Sequence, residues 1–150
     1  MCIRIVRVLI LLFSVISLNV VVSKAQQPTG STFPNRYTGR QIVVTVGNGE
    51  ARPEYRMLEN GLLFYRNTTD SSYQQLGQQP KEKTQALFKK LEQELKVKTV
   101  KATKSETPDA SVAWKKSKTQ FNVSWEGKDA PDGYRDFYED FLKLFPKKTR

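Results

Sequence analysis

Histidine is absent from the 150 residues, and cysteine occurs once, at Cys2. Without histidine the chain lacks the commonest general base and the commonest metal ligand. A Ser-His-Asp triad cannot be assembled. Cys2 precedes an apolar leader and is expected to leave with it. The mature chain then has no thiol for nucleophilic catalysis, no thiolate for structural zinc and no disulfide framework. A glycine-rich phosphate loop is missing too, because Gly47-Asn48-Gly49 is followed by neither a helix nor a lysine at the required place. No catalytic residue, metal site or cofactor is therefore expected.

Only one long apolar run is present, residues 8–22, and Ser14, Ser17 and Asn19 interrupt it. At 15 residues it is shorter than the roughly 20 needed to span a bilayer. Arg4 and Arg7 precede it and Ser23-Lys24-Ala25 follows, with small residues at the two positions a signal peptidase reads. This three-part pattern predicts a secretory signal peptide over 1–25, cleaved after Ala25, and a periplasmic or secreted protein. Residues 26–39 are rich in Gln, Pro, Ser, Thr, Gly and Asn and read as a flexible linker. The remainder, 40–150, is long enough for one domain with a packed core.

Charge is unevenly distributed. The leader takes three basic residues and no acid, so the net charge of +10 becomes +7 in the mature chain. Residues 81–118 hold 11 lysines against 5 acids, whereas 119–150 balance at 6 and 6. Lys81, Lys83, Lys89, Lys90, Lys98, Lys101, Lys104, Lys115, Lys116 and Lys118 thus form a candidate polyanion patch, suited to an anionic envelope polymer. The plainer reading is a solvated lysine surface. The patch lacks the arginines and interleaved aromatics of a nucleic-acid reader, so no specific nucleic-acid partner is expected.

Residues 41–46 are β-branched and predict a first strand. A turn at 47–49 leads to a second strand over 54–58, and Asn60-Gly61 predicts a two-residue hairpin into a third strand over 62–66. Residues 73–76 could add a short edge piece. Pro80 suits the first turn of a helix running to Lys96, with Leu87, Leu91 and Leu95 four apart and Thr84 and Phe88 beside them. After a polar loop, 110–116 and 119–125 form a second hairpin, with Val112, Trp114, Phe121, Val123 and Trp125 on one face. Residues 134–145 predict a last helix with a Phe137, Phe141, Phe145 stripe. The order β-β-β-α-β-β-α predicts an α+β fold, an antiparallel sheet with two helices packed on one face.

Four constellations could carry chemistry. Glu126, Asp129 and Asp132 could serve as acid and base in a glycan hydrolase or gather calcium, but they also suit the approach to a helix start. Lys104-Ser105 and Ser117-Lys118 sit in loops, where lysine stays charged and cannot activate serine. Asn67-Thr68-Thr69 and Asn122-Val123-Ser124 are glycosylation acceptors, the second inside a strand. Finally, Tyr55, Arg56, Asn60, Tyr65 and Arg66 surround the first hairpin, and exposed Tyr and Arg suit protein binding.

The stretch Glu59-Asn60-Gly61-Leu62-Leu63-Phe64-Tyr65-Arg66, the leucine helix ending near Leu95, and Trp125-Glu126-Gly127 followed by Pro131 and a helix over 134–145 resemble small secreted bacterial domains, the emfourin-like group of metalloprotease inhibitors. The likeness runs in order and pattern over residues 41–145. It implies a non-enzymatic α+β domain that binds a protease, and no inhibitory motif is matched. The expected function is a secreted, non-enzymatic protein-binding module, with polyanion binding through residues 81–118 and glycan hydrolysis as alternatives.

Overall fold

A computed structural model of the chain describes residues 33–100 and 107–146. The signal peptide, Cys2, the first part of the linker, Lys101, Lys104 and the Lys104-Ser105 pair lie outside the described residues.

Six strands form one antiparallel sheet: β1 (Arg40–Val46), β2 (Pro53–Leu58), β3 (Leu62–Asn67), β4 (Gln74–Gln78), β5 (Ala110–Lys116) and β6 (Thr119–Trp125). Their order is β4-β3-β2-β1-β5-β6, so β1 lies between β2 and β5. Two helices accompany the sheet, α1 (Lys81–Lys89), continued by a π-helical turn (Lys90–Glu94), and α2 (Tyr134–Leu142). The fold is α+β as the patterning predicts. β4 adds a fourth strand before α1. Its Gln-Gln-Leu-Gly-Gln sequence has one apolar residue to bury, which suits a sheet edge. Among the described residues no helix is long and apolar enough to cross a membrane.

Strand alternation divides the sheet into two unlike faces. Ile42 and Val44, Met57, Leu63, Val112 and Trp114, and Val123 and Trp125 point to one side, where they pack with Phe88 and Leu91 of the first helix and Phe137 and Phe141 of the second. The last helix ends at Leu142, short of the expected 145; Phe137 and Phe141 are fully buried on it, and Phe145, past its end, meets Tyr55 edge-on (ring centres 4.9 Å). On the first helix the buried line is Thr84, Phe88 and Leu91, with Leu87 and Leu95 half-buried at its margin.

The π-helical turn brings Glu92 into long-range contacts. Leu95 N donates to Lys90 O at 2.9 Å, and the wider turn sets Glu92 between Arg40 (3.1 Å) and the Trp114 indole N–H (2.7 Å). Lys96 then takes a left-handed conformation and Val97 N reaches back to Leu91 O, closing the helix while Val97 buries.

The first hairpin corrects the expected turn. Met57 pairs with Leu63 and Glu54 with Arg66, so the loop between Leu58 and Leu62 has three residues, not two. Gly61 N donates to Leu58 O, and Gly61 alone of the three takes positive φ, at 88°. Asn60 instead accepts from Leu62 N through its side chain, an arrangement a short polar residue provides in a turn. Gly61 is pressed against the segment leading into α1, and a Cβ there would lie 2.4 Å from Gln79 O. Gly61→Ala is expected to cost about 2–3 kcal/mol, from the left-handed backbone and the displaced Gln79 carbonyl together. Chemical denaturation checks this.

Residues 33–39, expected as the end of a flexible linker, pack against the domain. Phe33 meets Phe64 edge-on at 5.4 Å, Pro34 is buried, and Tyr37 O accepts from the Gln41 amide at 2.8 Å. Phe33 and Pro34 are apolar residues in a polar stretch, and burial of their surface holds this segment down.

Candidate functional site

The sheet face opposite the helices carries most of the unusual chemistry. Register places its residues in cross-strand rows. One row reads Arg66, Glu54, Thr45, Ser111, Ser124, and the next reads Phe64, Arg56, Val43, Ala113, Asn122. A third ends on Gln41, Lys115 and Gln120. In the first two rows β1 and β5 carry the small Thr45, Val43, Ser111 and Ala113, while β2 and β3 carry Glu54, Arg56 and Arg66. A trough therefore runs along the strands, with Val43, Thr45 and Ser111 as its floor and a volume of about 540 Å³. That size falls within the range of ligand-binding clefts, roughly 300–1,000 Å³.

Glu54 organises one wall. Its Oε1 accepts from Arg56 Nη2 at 2.8 Å and from the Tyr73 hydroxyl, and its Oε2 accepts from Arg66 Nη2 at 3.1 Å. Arg56 also donates through Nη1 to Gln41 Oε1 (3.2 Å) and Asn35 Oδ1 (3.3 Å). Both guanidiniums lie over the Tyr73 ring, 4.7 Å and 4.4 Å from its centre, close enough for cation–π attraction. Arg56 and Glu54 are only 5 % and 7 % exposed. Burial alone would raise the Glu54 carboxyl, but the Tyr73 hydrogen bond and the Arg56 and Arg66 charges outweigh it and hold the group below the usual glutamate range. Tyr73 is pushed well above an ordinary tyrosine, first by burial and then by its bond to Glu54. Arg56 Nε and Arg66 Nε are buried without an acceptor.

The far end is fixed by Asp109. Its carboxylate accepts from Asn48 Nδ2 (3.0 Å) and Gly127 N (2.7 Å), and its carbonyl accepts from Gly47 N (2.6 Å). One residue thereby ties the β1–β2 turn and the loop after β6 to the start of β5, next to Pro108 on the trough wall.

The hairpin residues singled out from the sequence do not share a surface. Arg56 and Arg66 belong to the trough face, whereas Tyr55 and Tyr65 meet each other (5.2 Å) on the helix face. Neighbours along a strand point to opposite faces, so Tyr55 parts from Arg56 and Tyr65 from Arg66, and the register of the three-residue loop puts both tyrosines on one face and both arginines on the other. Asn60 stays exposed at the turn.

The candidate lysines are spread over several elements. Lys81, Lys83 and Lys89 are exposed on α1, and Lys90 lies 3.7 Å from Asp140. Lys98 sits over Trp114 at 4.3 Å. Lys116 and Lys118 are exposed at the β5–β6 turn, and Lys115 lines the trough. Glu126, Asp129 and Asp132 lie on an exposed loop, where Asp129 N donates to Glu126 O at 3.0 Å. Among the described residues no three His, Cys, Asp or Glu side chains converge to hold a metal ion. Ser117 is exposed in a left-handed turn next to Lys118. Asn67 accepts from the Tyr65 hydroxyl at 3.0 Å, and Asn122 is exposed on the trough face.

Sequence reasoning missed Glu54, Tyr73, Gln41 and Arg52 as parts of one face. The available signal was parity: Glu54 and Arg56 alternate with Tyr55 and Met57, so a charged wall opposite the core was implicit once the register was known. No family model, curated protein or solved structure matches the chain.

Proposed function

We propose that the protein is an extracytoplasmic, non-enzymatic binding domain that recognises another protein through the open face of its sheet. The observation that carries this reading is the Glu54 cluster. It buries Arg56 and holds the part-exposed Arg66 at the trough wall with hydrogen bonds and ring contacts, the preorganisation that limits the entropy lost on binding. Two desolvated N–H groups without acceptors are a poor arrangement for stability alone, and arginine and tyrosine are favoured anchors of protein interfaces. A chain without histidine and with Cys2 as its one thiol offers few routes to catalysis. The resemblance to metalloprotease inhibitors points to the same class and names a protease as a partner to try.

Affinity capture with the tagged chain 26–150 from the native envelope and medium, at low and high salt, tests the proposal. A single protein, co-eluting in fixed ratio with the domain and surviving high salt, is the expected result. Recovery of polyanionic material alone, lost at high salt, would favour the exposed lysines instead. Glycan turnover abolished by Glu126→Ala or Asp132→Ala would overturn the proposal in favour of a hydrolase.

A further inference from the structure

We infer that the trough takes an extended peptide segment bearing carboxylates, with Arg52 and Lys115 as its charge contacts. This rests on the binding-domain reading and specifies the partner's chemistry. The trough contains four cationic side chains, Arg52, Arg56, Arg66 and Lys115, and one carboxylate, Glu54. Glu54 is already shared between Arg56 and Arg66. The Arg52 and Lys115 side chains have no carboxylate partner among the described residues. The surplus charge therefore faces a cleft and is not cancelled by an ion pair among the described residues. An anionic occupant would gain both attraction and steering from it.

The shape selects a peptide. Arg52 precedes β2, beyond the Glu54 row, and Lys115 stands in the Gln41 row, so six residues of strand rise and two strand spacings separate their backbones. That is roughly 20 Å, the reach of about six extended residues. The trough runs parallel to the strands. Gln120 and Asn122 on its β6 wall offer both donors and acceptors, which match the alternating groups of a peptide backbone. None of the trough residues is aromatic, which leaves no platform for stacking bases.

Fluorescence anisotropy with labelled octaglutamate and octaglutamine, using chain 26–150, tests the assignment. Octaglutamate is expected to bind saturably and octaglutamine not. Arg52→Ser and Lys115→Ser are each expected to weaken binding about fivefold, and the double variant more than about tenfold, as for exposed charge contacts worth about 1 kcal/mol each. Lys128→Ser, on the exposed 126–133 loop, is expected to leave binding unchanged. Circular dichroism confirms that each variant is folded. Equal binding by the double variant, absence of saturable octaglutamate binding, or loss of binding only in Lys81→Ser/Lys83→Ser would overturn the inference. A protein partner still captured by the Arg52→Ser/Lys115→Ser variant would also refute it while leaving the binding-domain reading intact. Absence of any captured protein together with specific octaglutamate binding would do the reverse.

Discussion

Glu54→Gln is expected to destabilise the domain by about 3–5 kcal/mol, the cost of leaving a buried charge without its partner. The substitution keeps the side chain's size but removes the negative charge shared by Arg56 and Arg66. Arg56 cannot swing into water without giving up its bonds to Gln41 and Asn35. Glutamine keeps one oxygen, so with that oxygen toward Arg56 and Tyr73 its new NH2 faces the Arg66 Nη2 donor, and turned the other way it faces the Arg56 donor. The same carboxylate makes stability depend on pH. Its proton affinity is lower in the folded chain than in the unfolded one. Its contribution is therefore complete above the ordinary glutamate value of about 4.3 and is lost as pH falls through the lower folded value. Urea denaturation of both proteins at neutral pH and near pH 3 should show a large gap at neutral pH that narrows in acid. A loss below about 1 kcal/mol at neutral pH would mean that Arg56 is solvated.

Phe141→Ala is expected to cost about 3–5 kcal/mol, from lost transfer free energy and the cavity left behind. Phe141 is fully buried and meets Phe137 at 6.2 Å and Phe145 at 5.3 Å. These rings seat α2 on the sheet through Tyr55 at one end, while Tyr138 meets Trp125 at 5.5 Å alongside. A domain of this size has a total stability of about 5–15 kcal/mol, so this one change removes a large share. Phe141→Leu, which keeps more of the volume, should cost clearly less. Denaturant midpoints for the two variants check the order. Equal, small losses would place α2 outside the cooperative unit.

The strands and helices were legible because they carry strong periodic signals. In β6, Phe121, Val123 and Trp125 alternate with Asn122 and Ser124. From Phe137 through Phe141 in α2 to Phe145 just past its end, phenylalanines recur every four residues. Both patterns reflect one buried face, and tertiary packing rewards what local sequence announces. The first hairpin turn was less legible. Asn60-Gly61 is compatible with two loop lengths, and Gly61's contact with Gln79, 18 residues away, accompanies the longer one. That single residue of register decides which side chains share a face, so it also decided the site. Glu54 and Arg56 look like an ordinary solvated strand edge until Arg66 is placed opposite Glu54 and Tyr73 is brought over both arginines. These are long-range placements that no window of sequence contains. The lysine excess was visible from composition, but folding distributes the described lysines over α1, the turn after it and the β5–β6 hairpin, and of these only Lys115 lines the trough.

Amide chemical-shift mapping of chain 26–150 on titration with its captured partner tests most directly the claim that the open sheet face is the binding surface. The largest shifts are expected on Val43, Thr45, Ser111 and Asn122, with α1 residues such as Lys81 and Lys83 unmoved. Shifts concentrated on α1 and α2, with the trough silent, would contradict it.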